Sequence, residues 1–157
     1  MKTVTNVVFG PYRETNATPS RLHVNMAMRE QLNSLTERII GAALAVHREL
    51  GPGMLEKACE ACLAFELASR GLKLERQKTL PLTYKGMRLD CGYRIDLLVE
   101  DLVVVEVKSI ERLERVHSAQ VLSYLRMLKR NVGLVINFNV QWLIRDGIRR
   151  IVNDFPE

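Results

Sequence analysis

The stretch LVVVEVK at residues 102–108 decides the fold of this chain. Its first four residues are apolar and three of them are β-branched, so the run predicts a short buried strand. Because side chains alternate between the two faces of a strand, Glu106 and Lys108 point the same way. A carboxylate and an ammonium group are costly to desolvate there, so we expect them to be paired with each other or used in chemistry.

A second acid, Asp96, lies in the preceding apolar run. If the two runs form a hairpin, a loop of residues 100–101 places Asp96 opposite Val105, and Glu106 then faces the other side. A loop of residues 100–102 places Asp96 directly opposite Glu106. We predict an odd-numbered loop or a bulge, since only this register lets the two acids share one ion.

Two carboxylates on one sheet face suggest a metal site. Opposed residues lie about 5 Å apart at Cβ, where like charges repel unless a cation is bound between them. Hard oxygen ligands select Mg²⁺ or Mn²⁺, which would polarise a phosphate and lower the pKa of a bound water. Lys108 would hold that water or neutralise developing charge. The alternative is a structural ion pair between Lys108 and Asp96 or Glu106.

Two helices add polar groups to this constellation. Glu56 falls in the first turn of the second predicted helix, where an acid also interacts favourably with the helix dipole. In the third predicted helix, His117, Gln120 and Tyr124 are spaced so that they share one face. Buried polar tips need partners, which a catalytic sheet edge supplies. A solvated polar face is the alternative, and it suits Tyr124 least.

Periodicity predicts one α/β domain over residues 28–157, preceded by a flexible extension at residues 1–27. The order of elements indicates a small mixed β-sheet flanked by helices, in the order α-α-β-β-β-α-β. The predicted helices span about 29–50, 54–70 and 115–130, and the predicted strands span about 72–77, 81–84, 87–90, 93–99, 102–109, 132–137 and 147–152.

Composition is compatible with a polyanionic partner. The chain has 157 residues, 47% hydrophobic content and a net charge of +5. Arg112, Arg115 and Arg126 concentrate positive charge around the third helix, so we assign them to nucleic-acid contacts, although interleaved acids also fit an ordinary solvated surface. Three cysteines and the lack of any signal-like or membrane-spanning run predict a cytoplasmic protein with no membrane partner.

Taken together, the strand acids, Lys108 and the polar residues of the third helix resemble the active-site motif of the PD-(D/E)XK nuclease superfamily. Its acid corresponds to Asp96, its (D/E)XK triplet to residues 106–108, and its helical polar pair to Gln120 and Tyr124. More narrowly, the chain resembles the small prokaryotic group called GxxExxY proteins, whose signature falls on residues 53–59. Cys59 replaces the tyrosine of that signature, and Ile95 stands where the superfamily often has proline. The resemblance covers roughly residues 30–152.

The resemblance implies a restriction-endonuclease-like core and an Mg²⁺- or Mn²⁺-dependent nuclease that acts on nucleic acid, with DNA favoured. It implies that Asp96, Glu106 and Glu56 ligate the metal and that Lys108, Glu56, Gln120 and Tyr124 serve catalysis. A non-catalytic nucleic-acid- or protein-binding module that keeps this fold is the alternative, as is a structural homo-oligomer with a vestigial site. A homodimer is also left open.

Overall fold

A computed structural model describes residues 20–157 of the chain. Residues 1–19 of the predicted extension at residues 1–27 therefore lie outside the described residues. The described elements, in chain order, are α1 (Arg21–Leu50), α2 (Glu56–Ser69), β1 (Leu74–Tyr84), β2 (Met87–Val99), β3 (Val103–Lys108), α3 (Arg115–Leu128), β4 (Val132–Asn137), a π-helical turn (Leu143–Gly147) and β5 (Ile148–Val152).

The first helix begins at Arg21, not near Arg29 as predicted, so the predicted boundary after residue 27 falls inside it. Its start is capped by Ser20, whose side chain accepts a hydrogen bond from the His23 N–H. The apolar residues of this first part are exposed, so they form no buried stripe that periodicity could detect. Despite its 30 residues, α1 is not apolar enough to cross a membrane, nor is any other helix within residues 20–157.

The five strands form one mixed sheet in the order β1-β2-β3-β4-β5. β3 and β4 are parallel, and the other neighbouring strands are antiparallel. Val103, Val105 and Val107 pack into a core with α1 and α2, whereas Val104 packs with α3 on the opposite face. The predicted α/β fold is thus confirmed as a sheet between two helical layers, and β3 is buried on both sides.

The first two strands are longer than predicted and form one continuous hairpin. Leu80 pairs with Tyr93, and the next pair is Leu82 with Leu89, so one residue of β1 lies opposite three residues of β2 in a β-bulge. The single residue on β1 is Pro81, which has no N–H to contribute to the ladder. The predicted irregularity at Gly92 lies inside this bulge, and Gly92 has a φ of 74°.

The connection between β2 and β3 has the predicted three residues. Val99 pairs with Val103 and Leu97 pairs with Val105, which leaves residues 100–102 as the loop. The same register places Asp96 opposite Glu106. The requirement for a shared site, an odd loop, is therefore met.

Gly133 sets the distance between α3 and the sheet. A Cβ atom at this position would lie 2.5 Å from Val121 Cγ1 and 3.3 Å from the Val104 carbonyl oxygen. We expect Gly133→Ala to lower the free energy of unfolding by about 1–3 kcal/mol, because α3 and β4 must move apart. Urea denaturation measures this loss.

Gly41→Ala is the matched control, since its added Cβ would meet only the flexible end of Arg70 at 3.4 Å. Alanine also favours the helix that contains residue 41. We expect this variant to equal or exceed the wild type in stability. A Gly133→Ala variant as stable as Gly41→Ala would contradict the close packing of α3.

Candidate active site

The end of β3 carries a buried carboxylate that is only partly satisfied. Glu106 is 4% exposed, and its Oε1 lies 3.7 Å from Lys108 Nζ. Within residues 20–157, its Oε2 is buried and has no hydrogen-bond partner. A buried unsatisfied carboxylate oxygen is costly, so this atom indicates a group that binds there.

The pKa of Glu106 reflects this environment. Burial, followed by the negative charge of Asp96, raises the pKa of Glu106 from 4.5 to about 8. Lys108 acts in the opposite direction without cancelling the effect. An ion pair with Lys108 alone therefore does not satisfy the Glu106 carboxylate, and a further cation would favour its charged form.

Asp96 lies where β2 separates from β3. The main-chain ladder between these strands ends at Leu97 and Val105. Beyond it, Asp96 Oδ2 accepts a hydrogen bond from the Val107 N–H at 2.8 Å, and Oδ1 accepts one from Gln77 Nε2 at 3.1 Å. Burial raises the pKa of Asp96, whereas the Val107 N–H lowers it. The Asp96 side chain thus bridges the gap that opens between the strands.

Two residues that the sequence analysis missed hold Asp96 in place. Gln77 lies opposite Asp96 in the register of β1 and β2, and its Nε2 also donates to Glu60 Oε2 at 2.8 Å. Gln77 has a φ of 52°, a left-handed conformation rare in a strand. Glu60 is buried and also contacts Arg76 Nε at 3.4 Å. Glu60 follows Glu56 by one helical turn, a spacing that could have identified it; for Gln77 the sequence gives no signal.

The start of α2 is tied to the end of the sheet. Glu56 lies in the first turn of α2, as predicted, although the helix begins at Glu56 itself and not near residue 54; its side chain is exposed. Ser109, directly after β3, donates to the Met54 carbonyl oxygen, and the Gly53 N–H donates to Asn139 Oδ1 at 2.9 Å. These bonds hold Glu56 on the side of the two strand acids. Its negative charge contributes to the raised pKa values of both Asp96 and Glu106.

The third helix contributes a tyrosine to the same region. Tyr124 is 2% exposed, and its hydroxyl oxygen accepts a hydrogen bond from Gln120 Nε2 at 2.8 Å. Burial, followed by the charge of Glu106, raises the pKa of Tyr124. The ring of Tyr93 packs edge-on against Tyr124, with centroids 6.2 Å apart. Gln120 and Tyr124 are thus brought to the strand acids.

His117, which the sequence placed on one face of the third helix, and His47 both contact the backbone. His117 Nδ1 accepts a hydrogen bond from the Glu114 N–H at 2.9 Å and so caps the start of α3. His47 Nε2 lies 2.7 Å from the Val140 carbonyl oxygen. His47 also lines a surface cavity of about 540 Å³ beside Trp142, and none of the strand acids borders this cavity. We therefore locate the candidate site at the carboxylates.

The three arginines assigned to nucleic acid do not converge on this site. Arg115 and Arg126 lie on one side of α3, between about 120° and 180° around the helix axis from Gln120 and Tyr124. Arg112 is exposed and pairs with a neighbouring acid. Any contact of these arginines with nucleic acid would therefore lie outside the cluster of acids.

The donor set suits a hard divalent cation. Within residues 20–157, no group of three or more His, Cys, Asp or Glu side chains is arranged to hold a metal ion. Mg²⁺ commonly binds through one or two carboxylates, keeping several waters and gaining phosphate oxygens from a substrate. Asp96 and Glu106 supply such a pair, and Glu106 Oε2 is an unsatisfied ligand atom. The residues therefore fit Mg²⁺ or Mn²⁺.

Comparison with protein-family models identifies a family. The model described as PD-(D/E)XK nuclease superfamily matches residues 33–151, which include the acids of the candidate site, Lys108 and the polar pair of α3. Neither the curated proteins nor the solved structures that we compared with the chain include a significant match.

The raised pKa of Glu106 predicts how stability depends on pH. Between about pH 4.5 and pH 8, folded Glu106 holds a proton that the unfolded chain has released. In EDTA, the free energy of unfolding should therefore fall as pH rises through this window, by on the order of several kcal/mol, and level off above it. Urea denaturation across the window measures the slope.

Glu106→Gln should remove most of this slope, because its amide does not titrate. Glu111→Gln changes an exposed glutamate and should keep the slope of the wild type. Equal pH dependence in wild type and Glu106→Gln would show that the Glu106 pKa is not raised.

Proposed function

The chain belongs to the PD-(D/E)XK nuclease superfamily, and we propose that it is a metal-dependent nuclease that hydrolyses phosphodiester bonds in DNA. The observation that carries the proposal is the unsatisfied Oε2 of Glu106, beside Asp96 and Lys108. Membership of the narrower GxxExxY group is part of the proposal, supported by the motif at residues 53–59. So is a cytoplasmic location, which suits the three free cysteines.

In this proposal, Asp96 and Glu106 are the principal ligands of Mg²⁺ or Mn²⁺, and Glu56 is an accessory acid that positions a water molecule, because the three carboxylates are not arranged to hold one ion within residues 20–157. When bound, the ion supplies charge that polarises the scissile phosphate and acidifies a water molecule. The ionised form of Glu106 would be favoured by the positive charge of that ion. Gln77 and Glu60 keep Asp96 oriented through their hydrogen bonds.

Lys108 provides the protein's own positive charge at the reaction centre. Its ammonium group lies on the same side of β3 as Glu106, is largely buried, and forms one contact with Oε1 at 3.7 Å. A flexible ammonium with a long, weak contact can donate hydrogen bonds to a water or a phosphate oxygen. We assign to Lys108 the stabilisation of negative charge that develops as water attacks phosphorus and the P–O bond breaks.

Gln120 and Tyr124 orient the reactants. Because Gln120 donates to the Tyr124 oxygen, the tyrosine O–H remains a donor. It can donate to the attacking water or to a phosphate oxygen. The T-shaped contact with Tyr93 fixes the tilt of the ring. This pair therefore acts on geometry, which is the main protein contribution to phosphoryl chemistry.

Cleavage of a substrate panel tests the proposal. Labelled single-stranded, duplex, flapped and branched DNA and their RNA counterparts are incubated with Mg²⁺, Mn²⁺ or EDTA. We expect metal-dependent cleavage of DNA by the wild type. Lys108→Ala and Glu106→Gln should each lower the rate by about 100-fold or more, because the first removes the positive charge that stabilises the transition state and the second removes a charged ligand of the metal.

Lys73→Ala is the matched control, since Lys73 is an exposed lysine away from the site. It should cleave like the wild type. If Lys108→Ala equals the wild type on every substrate, or if EDTA has no effect, the nuclease proposal fails. Metal-independent binding of DNA without cleavage would instead favour a non-catalytic module.

A further inference from the structure

The hairpin of β1 and β2 extends well beyond the rest of the sheet. Only Leu97 to Val99 of β2 pair with β3, whereas β2 begins ten residues earlier, at Met87. All of β2 from Met87 to Arg94 is exposed. We define the arm as residues 79–94; its strands pair with each other and project from the body of the protein.

One face of the arm is a continuous apolar stripe. Directly opposed residues of antiparallel strands share a face, and three successive pairs in the arm are apolar. The pairs are Leu80 with Tyr93, Leu82 with Leu89, and Tyr84 with Met87. The opposite face carries the pairs Thr79 with Arg94 and Thr83 with Arg88. Such a division between faces is unusual for a solvated hairpin and indicates a surface that binds something.

The stripe begins at the candidate active site. Tyr93, its inner end, contacts the ring of Tyr124, whose pKa is raised in part by Glu106. Tyr84 and Met87, its outer end, are 59% and 64% exposed. Leu80 and Tyr84 are four residue steps apart along β1, so the stripe is about 13 Å long. It therefore offers a track of a few nucleotides that leads away from the acids.

Charge favours a polyanion as the occupant. The arm contains three cations, Lys85, Arg88 and Arg94, and one acid, Asp90, so its net charge is +2. Arg88 and Arg94 lie on the face opposite the stripe, whereas Lys85 lies in the turn at the outer end of the stripe. Lys85 Nζ lies 5.4 Å from the centroid of the Tyr84 ring, which places a cation beside the outermost aromatic surface. Aromatic rings next to cations are the combination with which proteins bind unpaired nucleic acid.

The exposed area argues against a second copy of this chain as the occupant. The four most exposed side chains of the stripe are between 40% and 64% exposed. Full burial of such large side chains covers about 150–200 Å² each, so the stripe offers roughly 400 Å². A stable protein interface buries about 800 Å² on each partner. The stripe alone is therefore about half of what a dimer needs.

We infer that the arm binds an unpaired stretch of the nucleic-acid substrate, with its bases against the apolar stripe, next to the duplex or junction that is cut. Paired bases hide their faces, and aliphatic side chains cannot read their hydrogen-bonding edges. Unpaired bases expose faces that pack on tyrosine rings and apolar side chains. The inference rests on the proposed function, since it assigns the arm to the substrate of the same site.

Fluorescence anisotropy in EDTA tests the inference without cleavage. The probes are a labelled blunt DNA duplex and the same duplex with a single-stranded tail at one end or the other. We expect the wild type to bind one tailed duplex about tenfold more tightly than the blunt duplex. The double variant Tyr84→Ser and Met87→Ser should lose that preference but keep its affinity for the blunt duplex.

Phe65→Ser is the control, because Phe65 is an apolar side chain on α2 that is 74% exposed and outside the arm. It should keep the preference for the tail. Thermal denaturation checks that the double variant is folded. Equal affinity of the double variant and the wild type for the tailed duplex would overturn the inference. If the wild type is a dimer and the double variant is a monomer that binds DNA as the wild type does, the inference is overturned in favour of a second copy of the chain.

Cleavage in Mn²⁺ separates this inference from the proposed function. Tail-dependent binding through the arm without any cleavage would support the inference and overturn the nuclease proposal. Metal-dependent cleavage with no preference for a tail in binding would overturn the inference and support the nuclease proposal.

Discussion

The buried, unsatisfied carboxylate of Glu106 is the constraint on which the site depends. The parallel pairing of β3 with β4 and the helices on both faces bury β3 from Val103 to Val107. Glu106, near the end of this strand, is almost fully shielded from bulk water, so its charge needs a partner at the site. Lys108 is a partial partner at 3.7 Å, and Asp96 adds negative charge. The fold therefore holds a carboxylate that an added cation would satisfy.

The surrounding structure keeps this unfavourable arrangement in place. The Asp96 side chain replaces a main-chain partner for the Val107 N–H where β2 leaves β3. Gln77 adopts a left-handed backbone conformation, at a cost of about 1–3 kcal/mol, and connects Asp96 to Glu60 of α2. Strain and buried charge concentrated at one point are typical of functional sites.

Sequence predicted the parts of this molecule whose signal is local or follows a simple period. The buried β3 and β4 follow from short apolar runs, and the position of Glu56 in the first turn of α2 follows from the helix stop signal before it. The odd loop after Val99 has no local signal; its prediction rests on the requirement that Asp96 and Glu106 share one ion. The early start of α1 escaped prediction because the exposed first turns make no apolar stripe. Gln77 escaped because its role arises from strand register and from an unusual φ angle, neither of which its residue type indicates.

Proton release on metal binding reports directly whether Glu106 ligates the metal. Calorimetric titration of Mn²⁺ in buffers of different ionisation enthalpy counts the protons released per bound ion. With a Glu106 pKa of about 8, the account predicts that binding at neutral pH releases about one proton in the wild type. It predicts almost none in Glu106→Gln, with weaker binding. Tight binding without proton release, or equal binding and release by the two proteins, would contradict Glu106 as the metal ligand.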